Sequence, residues 1–278
     1  EMSASLVGSE MCIRDRVDML VCADLSYVDW DGIVEKEEVS LEEACRKYLS
    51  LYSEKELKSK YTFSMNLPHL IDALQDTIRY GNIKLKNYKK VYSDEDVIQF
   101  SVVTLVLPDG SLVLSFSGTD GSITGWKENL MMTYSKDLPC QILAKDYVKE
   151  TIADIPETSY LFGLKKKKVY PKMYLTGHSK GGNLAMYAYL KNPKLQGYIE
   201  GVKSFDGPGF ADGFWQGDED VSKITNYIPK DSIVGRVLDH REQTKVLEAQ
   251  GSGLVQHDTL MWSVDVKDFN YCDALTKE

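Results

Sequence analysis

A chain of 278 residues with 43% hydrophobic and 27% charged side chains is long enough to bury one large core, and reads as a single globular domain with at most a small appendage. Its 33 Lys and Arg stand against 42 Asp and Glu, a net charge of −9, and with the acidic groups spread along the chain its surface is a poor partner for nucleic acid. The five cysteines (Cys12, Cys22, Cys45, Cys140, Cys272) are odd in number and lack a C-x-x-C pair, which argues against a disulfide framework or zinc site and for a reducing, cytoplasmic compartment.

No apolar run approaches the roughly 18 to 20 residues that cross a bilayer. Residues 1–16 carry no usable apolar period and no signal-peptide layout. The run from Ser5 to Arg14 looks like translated sequencing adapter, so 1–16 is expected to be a non-native or disordered leader. A native start lying elsewhere leaves secretion open.

From 17 to about 95 the pattern is mostly helical. Asp18 to Val28 places apolar groups at three- and four-residue steps. Ser40 to Leu51 opens with Ser40 in a cap position and Glu43 three residues on. Pro68 to Tyr80 is stopped by Gly81. This region is expected to pack on a core spanning 96–278 as part of one structural domain.

At Val97 the period shortens to that of strands. Val97 to Leu107 and Ser111 to Ser117 flank Pro108-Asp109-Gly110 and read as a hairpin. Helices are expected at about 126–134 and 141–155, and Lys165 to Lys168 as a solvated loop. Strands follow at about Gly201 to Phe205, Lys223 to Ile228 and Thr244 to Leu247, with a last helix near Asp258 to Trp262. No internal repeat or low-complexity linker interrupts them.

The most informative stretch is Met173-Tyr174-Leu175-Thr176-Gly177-His178-Ser179-Lys180-Gly181-Gly182-Asn183-Leu184. An apolar strand runs into Gly-His-Ser-Lys-Gly and then directly into residues of good helix propensity, the strand, sharp turn and helix of a nucleophile elbow. So tight a turn strains the backbone at the serine, and side chains two residues to either side would collide with the flanking strand or helix; Gly177 and Gly181 remove them. Ser179 then projects with its hydroxyl free, and the Lys180 amide aims at the place where an oxyanion would form. Strands and helices alternating around this elbow imply an α/β-hydrolase fold: a mainly parallel central sheet with helices on both faces, the hairpin at one side and the N-terminal helical region against it.

A serine hydroxyl is a weak nucleophile at neutral pH and needs an imidazole to take its proton and a carboxylate to fix that imidazole. Of the four histidines, His69 lies upstream and His178 adjoins Ser179 but points to another side of the turn. His257 is preferred over His240, because a loop after a late strand can reach back over the sheet edge, whereas His240 ends an apparent helix only nine residues beyond Asp231. For the acid, Asp206 and Asp231 each follow a strand, and Asp231 is preferred.

The preference for Asp231 draws in part on a likeness. Phe116-Ser117-Gly118-Thr119-Asp120 with Trp126, the elbow, Phe205-Asp206-Gly207-Pro208-Gly209, and Ile228-Pro229-Lys230-Asp231-Ser232-Ile233-Val234 leading to Gln256-His257-Asp258 together resemble a bacterial family of uncharacterised α/β hydrolases allied to the class 3, or fungal-type, lipases. The likeness implies a catalytic triad of Ser179, Asp231 and His257, and an oxyanion hole formed by the Gly118-Thr119 turn with Lys180. Asp-Ser-Ile-Val departs slightly from the Asp-x-Val setting of that family, and Ser117 stands where relatives often carry Arg. The implied activity is hydrolysis of a lipid or other carboxylic ester through an acyl-enzyme, with no metal or organic cofactor. Trp126, Phe210, Phe214 and Trp215 are expected to line an acyl pocket or lid, with transient contact to a membrane or micelle surface. Thioesterases, acyltransferases and peptidases share the fold and triad, and a non-catalytic binding scaffold is the rival from outside catalysis.

Overall fold

In the strand Ile98–Val106 the seven central residues are all buried, the pattern of a strand covered on both faces. The structure, a computed structural model, describes residues 15–53, 55–57, 67–77, 79–160, 165–265 and 268–276. In chain order the strands are β1 (Val39–Ser40), β2 (Lys84–Ser93), β3 (Ile98–Val106), β4 (Leu112–Phe116), β5 (Glu157–Tyr160), β6 (Lys165–Lys168), β7 (Met173–His178), β8 (Ile199–Phe205), β9 (Ile224–Pro229), β10 (Gln243–Leu247), β11 (Val264–Asp265) and β12 (Asp268–Phe269). The helices that cover them are α1 (Arg16–Leu25), α2 (Leu41–Ser50), α3 (Leu67–Leu74), α4 (Ile123–Met131), α5 (Pro139–Ala153) and α6 (Lys180–Leu190).

The main sheet runs β1-β2-β3-β4-β7-β8-β9-β10. From β4 to β10 each neighbouring pair is parallel, while β1 to β4 pair antiparallel. Alternation along the strands sorts side chains to two cores. Val103, Leu105 and Val113 join the residues of α1, α2 and α3 on one face; Val102, Leu114 and Phe116 join those of α5 and α6 on the other. The sheet is therefore mainly parallel with helices on both faces, as the sequence implies.

Helix α1 starts from a capping box in which Asp15 and Asp18 exchange backbone and side-chain hydrogen bonds, and lies across the parallel strands. Ser115 Oγ donates to Cys22 O at 2.7 Å and Thr176 Oγ1 to Met19 O at 3.2 Å. Ser40 caps α2, accepting from the Glu43 amide, as expected. Residues 1–14, most of the expected leader, lie outside the described residues, but Asp15 and Arg16 belong to the fold: Arg16 pairs with Asp268 at 2.5 Å.

Several local expectations give way. The region to residue 95 is not all helical, because Lys84–Ser93 is a ten-residue strand paired to β3; its Lys84, Lys86, Lys89 and Lys90 reach acids on other segments, so its polarity hides its sheet position. The third helix ends at Leu74, Lys165–Lys168 is a strand paired with β5, and the expected last helix is a pair of 3-10 turns, Gly253–His257 and Thr259–Met261.

Candidate active site

Ser179 stands alone between the end of β7 and the first residue of α6, at φ 56° and ψ −129°, a conformation that costs a non-glycine residue about 1 to 3 kcal/mol. The flanking glycines are required sterically. A Cβ on Gly177 would lie 2.3 Å from the Gly181 carbonyl, and one on Gly181 would lie 2.1 Å from Phe116 O. The Ser179 amide is tied to Phe205 O at 2.9 Å. Its hydroxyl, half-buried, makes no hydrogen bond among the described residues.

The acid that meets His257 is Asp206, not Asp231. Asp206 leaves the end of β8 with φ 50° and is fully buried. Its Oδ2 lies 2.6 Å from His257 Nδ1. Oδ1 accepts from the Ser232 hydroxyl and from the Gly235 amide, the latter at 3.0 Å. A Cβ on Gly235 would come within 2.4 Å of that Oδ1, so this glycine is needed for the carboxylate to be held. Asp231 has another task. Its amide donates to Gln256 Oε1 at 2.9 Å and its Oδ2 accepts from Gln256 Nε2 at 3.1 Å. The same Nε2 faces Ala249 O and Gly251 O. Asp231 thus pins the residue before His257, and Ser232 holds the acid. Of the two acids expected near the imidazole, Asp206 therefore meets His257 and the preferred Asp231 meets Gln256.

His257 sits on the 3-10 turn Gly253–His257, and its carbonyl lies 2.9 Å from His178 Nε2. A carbonyl only accepts, so His178 carries its proton on Nε2 and its Nδ1 accepts from Tyr27 Oη at 2.8 Å. Burial and the neighbouring His257 hold His178 well below the ordinary imidazole pKa, which keeps it neutral. The two imidazole rings are 4.5 Å apart, so His257 lies against the residue that precedes Ser179. Nδ1 of His257 faces the carboxylate, and Nε2 is the nitrogen left to take a proton. Farther along, Thr259 Oγ1 donates to both oxygens of buried Asp24 at 3.0 and 3.1 Å, and burial raises the Asp24 pKa to about 8.

The Lys180 amide, at the first position of α6, has no intrahelical acceptor. The Lys180 side chain, by contrast, is buried and paired with Glu128 of α4 at 2.6 Å. The Gly118-Thr119 turn lies close to this pair. A Cβ on Gly118 would fall 2.0 Å from Tyr27 Oη and 2.8 Å from His178 O, so only glycine fits. Thr119 Oγ1 donates to Asn129 Oδ1 at 2.9 Å, which commits the hydroxyl proton; the Thr119 amide makes no hydrogen bond among the described residues. A cleft of about 190 Å³ opens beside the turn, between Tyr27, Gln99, Ser117 and Asp120.

Of the expected substrate-lining residues only Trp126, on α4, is half exposed. Phe210, Phe214 and Trp215 are core. Phe210 and Phe214 stack at 3.9 Å, Trp215 stands edge-on at 5.2 Å to Phe214, and Tyr187 of α6 closes the cluster at 6.1 Å. Burial of their rings against α6 takes them out of any open pocket. Tyr27, Gln99, Glu128 and Gln256 escape a sequence reading because each acts through a partner distant in the chain. Among the described residues no group of His, Cys, Asp or Glu is placed to hold a metal ion, and no helix is long and apolar enough to cross a membrane.

A search of curated proteins finds no match. Among solved structures, one described as a fungal lipase superposes with a TM-score of 0.50 at 13% identity, covering 98% of this chain and 87% of the other. A mono- and diacylglycerol lipase from Aspergillus oryzae gives 0.49 at 12% identity over 86% and 81%, and a lipase from Rhizopus microsporus var. chinensis gives 0.46 at 11% over 85% and 75%. At 13% identity the first of these shows the fold alone, which is the α/β-hydrolase fold of lipases. The Mbeg1-like family profile matches residues 74–278, well over half of the chain, and the protein belongs to the Mbeg1-like family.

Proposed function

We propose that the protein is a serine hydrolase that cleaves a carboxylic ester in the manner of a lipase or esterase, with Ser179, His257 and Asp206 as its triad. The observation that carries the reading is the 2.6 Å contact of Asp206 with His257 Nδ1, made between segments distant in sequence, with His257 against the residue that precedes a strained serine whose hydroxyl has no partner among the described residues. Ser179 Oγ attacks the ester carbonyl carbon as His257 Nε2 takes its proton. The tetrahedral oxyanion accepts from the Lys180 and Thr119 amides. Collapse breaks the bond to the alkoxy oxygen, which leaves with the proton from His257. Water then attacks the acyl-enzyme with His257 again as base, releasing the acid and restoring Ser179. Asp206, 2.6 Å from His257 Nδ1, orients the ring and stabilises the imidazolium.

Ile123, Trp126 and Leu130 lie along α4 at helical spacing with their side chains exposed, and supply an apolar surface for an acyl chain or for transient contact with a lipid aggregate. The substrate on this reading is a lipid or other apolar ester, met in a bacterial cytoplasm. The test is release of p-nitrophenol from esters graded from acetate to laurate, with Ser179→Ala as control and matched thioesters in parallel. Turnover abolished in Ser179→Ala supports the reading. A folded wild type that turns over no ester favours a binding scaffold, and preference for the thioesters moves the assignment to a thioesterase.

A further inference from the structure

The residue after the nucleophile is a lysine whose side chain is 1% exposed, facing a glutamate at 0%. An ammonium has three protons to donate, and this one has three acceptors: Gln99 O at 2.6 Å, Gln99 Oε1 at 2.5 Å and Glu128 Oε2 at 2.6 Å. Because an ammonium cannot accept, its contact with the Gln99 amide settles which end of that amide it meets. Oε1 is turned to Lys180, where it also receives the Asp120 amide at 3.3 Å, and Nε2 is therefore turned to Gly118 O at 3.3 Å. A trans peptide is planar, with its carbonyl and N–H on opposite sides. Holding the Gly118 carbonyl toward Gln99 fixes the next N–H, that of Thr119, on the side away from Gln99.

We propose that the Lys180 side chain is a positioning residue for the oxyanion hole. Its ammonium sets the orientation of Gln99, Gln99 sets the Gly118-Thr119 peptide, and the Thr119 amide is thereby aimed, while the backbone of the same Lys180 supplies the other donor. Glu128 supplies the counter-charge that lets the ammonium be buried and ties α4 to the same point. One residue thus couples both halves of the hole to the nucleophile elbow. This rests on the ester-hydrolase reading for its catalytic consequence, though not for its geometry.

The experiment uses two variants of the full chain. Lys180→Met with Glu128→Met removes both charges together, so that neither is left buried alone; Gln99→Leu keeps the ion pair and cuts only the link to the turn. With p-nitrophenyl butyrate, both are expected to lose about 100-fold in kcat with KM within about threefold of wild type, at near wild-type thermal midpoints, the signature of a lost oxyanion donor. Crystal structures of both are expected to show the Gly118-Thr119 peptide rotated. Wild-type kcat in either folded variant, or an unmoved peptide in both, would overturn the proposal. If wild type and Ser179→Ala prove equally inert, the ester-hydrolase reading falls, and the orientation of the peptide in the variants still decides the positioning claim.

Discussion

Asp206 Oδ2 lies 2.6 Å from His257 Nδ1, while the carboxylate of Asp231 is taken by Gln256, the residue just before that histidine. Two acids at the ends of two neighbouring strands thus serve one loop, the first facing the imidazole and the second fixing the backbone that presents it. Asp206→Asn is expected to lower kcat about 10⁴-fold, by disturbing the tautomer and charge of His257. Asp231→Asn is expected to cost less than about tenfold in kcat and about 1 kcal/mol of stability, since it weakens a hydrogen bond at the base of the turn. Steady-state kinetics and urea unfolding of the two variants check the division of labour.

Steric demand at the elbow predicts an ordered set of glycine variants. Gly177→Ala and Gly181→Ala put a methyl within 2.3 and 2.1 Å of backbone atoms, and should each cost about 3 kcal/mol or more. Gly201→Ala, in the adjacent strand β8, meets nothing closer than 3.7 Å and should change stability by less than about 1 kcal/mol. Urea midpoints of the three variants measure this directly.

Asp24 gives a pH signature. Burial raises its pKa from 3.8 to about 8, so between those values the folded state holds a proton that the unfolded chain has lost. Stability contributed by this group is present at low pH, declines as pH rises across that window and levels off above about 8, by an amount on the order of a few kcal/mol. Asp24→Asn keeps an acceptor for Thr259 and removes the titration. Subtracting its unfolding free energy from that of wild type at each pH should yield a curve falling from pH 4 to 8; a flat difference would refute the assignment.

The aromatic residues divide between stability and substrate contact. Phe214 is 2% exposed inside a stacked cluster, and Phe214→Ala should cost about 3 to 5 kcal/mol. Trp126 is 51% exposed, and Trp126→Ala should leave stability within about 0.5 kcal/mol while raising KM more for long acyl esters than for acetate. Thermal melts and an ester series separate the two effects.

The elbow could be read from the sequence because its constraint is local: glycines at fixed offsets from Ser179 record a collision between a strand and the next helix. The parallel sheet was readable for the same reason, since apolar runs such as those ending at Phe205 and Ile228 alternate with helical periods. The acid was harder. Asp206 and Asp231 both follow strands, and only the docking of a late 3-10 turn decides which one an imidazole meets. The clue lay in Gly235, whose missing side chain makes room for the Asp206 carboxylate, but nothing along the chain links positions 206 and 235. Strand β2 was hidden by its lysines, which find Glu38, Asp29 and Glu150 only once the chain is folded. Phe210, Phe214 and Trp215 show that aromatic spacing does not distinguish a pocket wall from a core.

The most direct measurement of the central claim is the rate of covalent capture by a fluorophosphonate, followed by intact mass and peptide mapping. A single adduct on Ser179 is expected, absent in Ser179→Ala, slowed at least about 100-fold in His257→Ala and Asp206→Asn, and little changed in Asp231→Asn. A folded wild type that takes up no label, or labelling as fast in Asp206→Asn as in wild type, would contradict an activated serine served by His257 and Asp206.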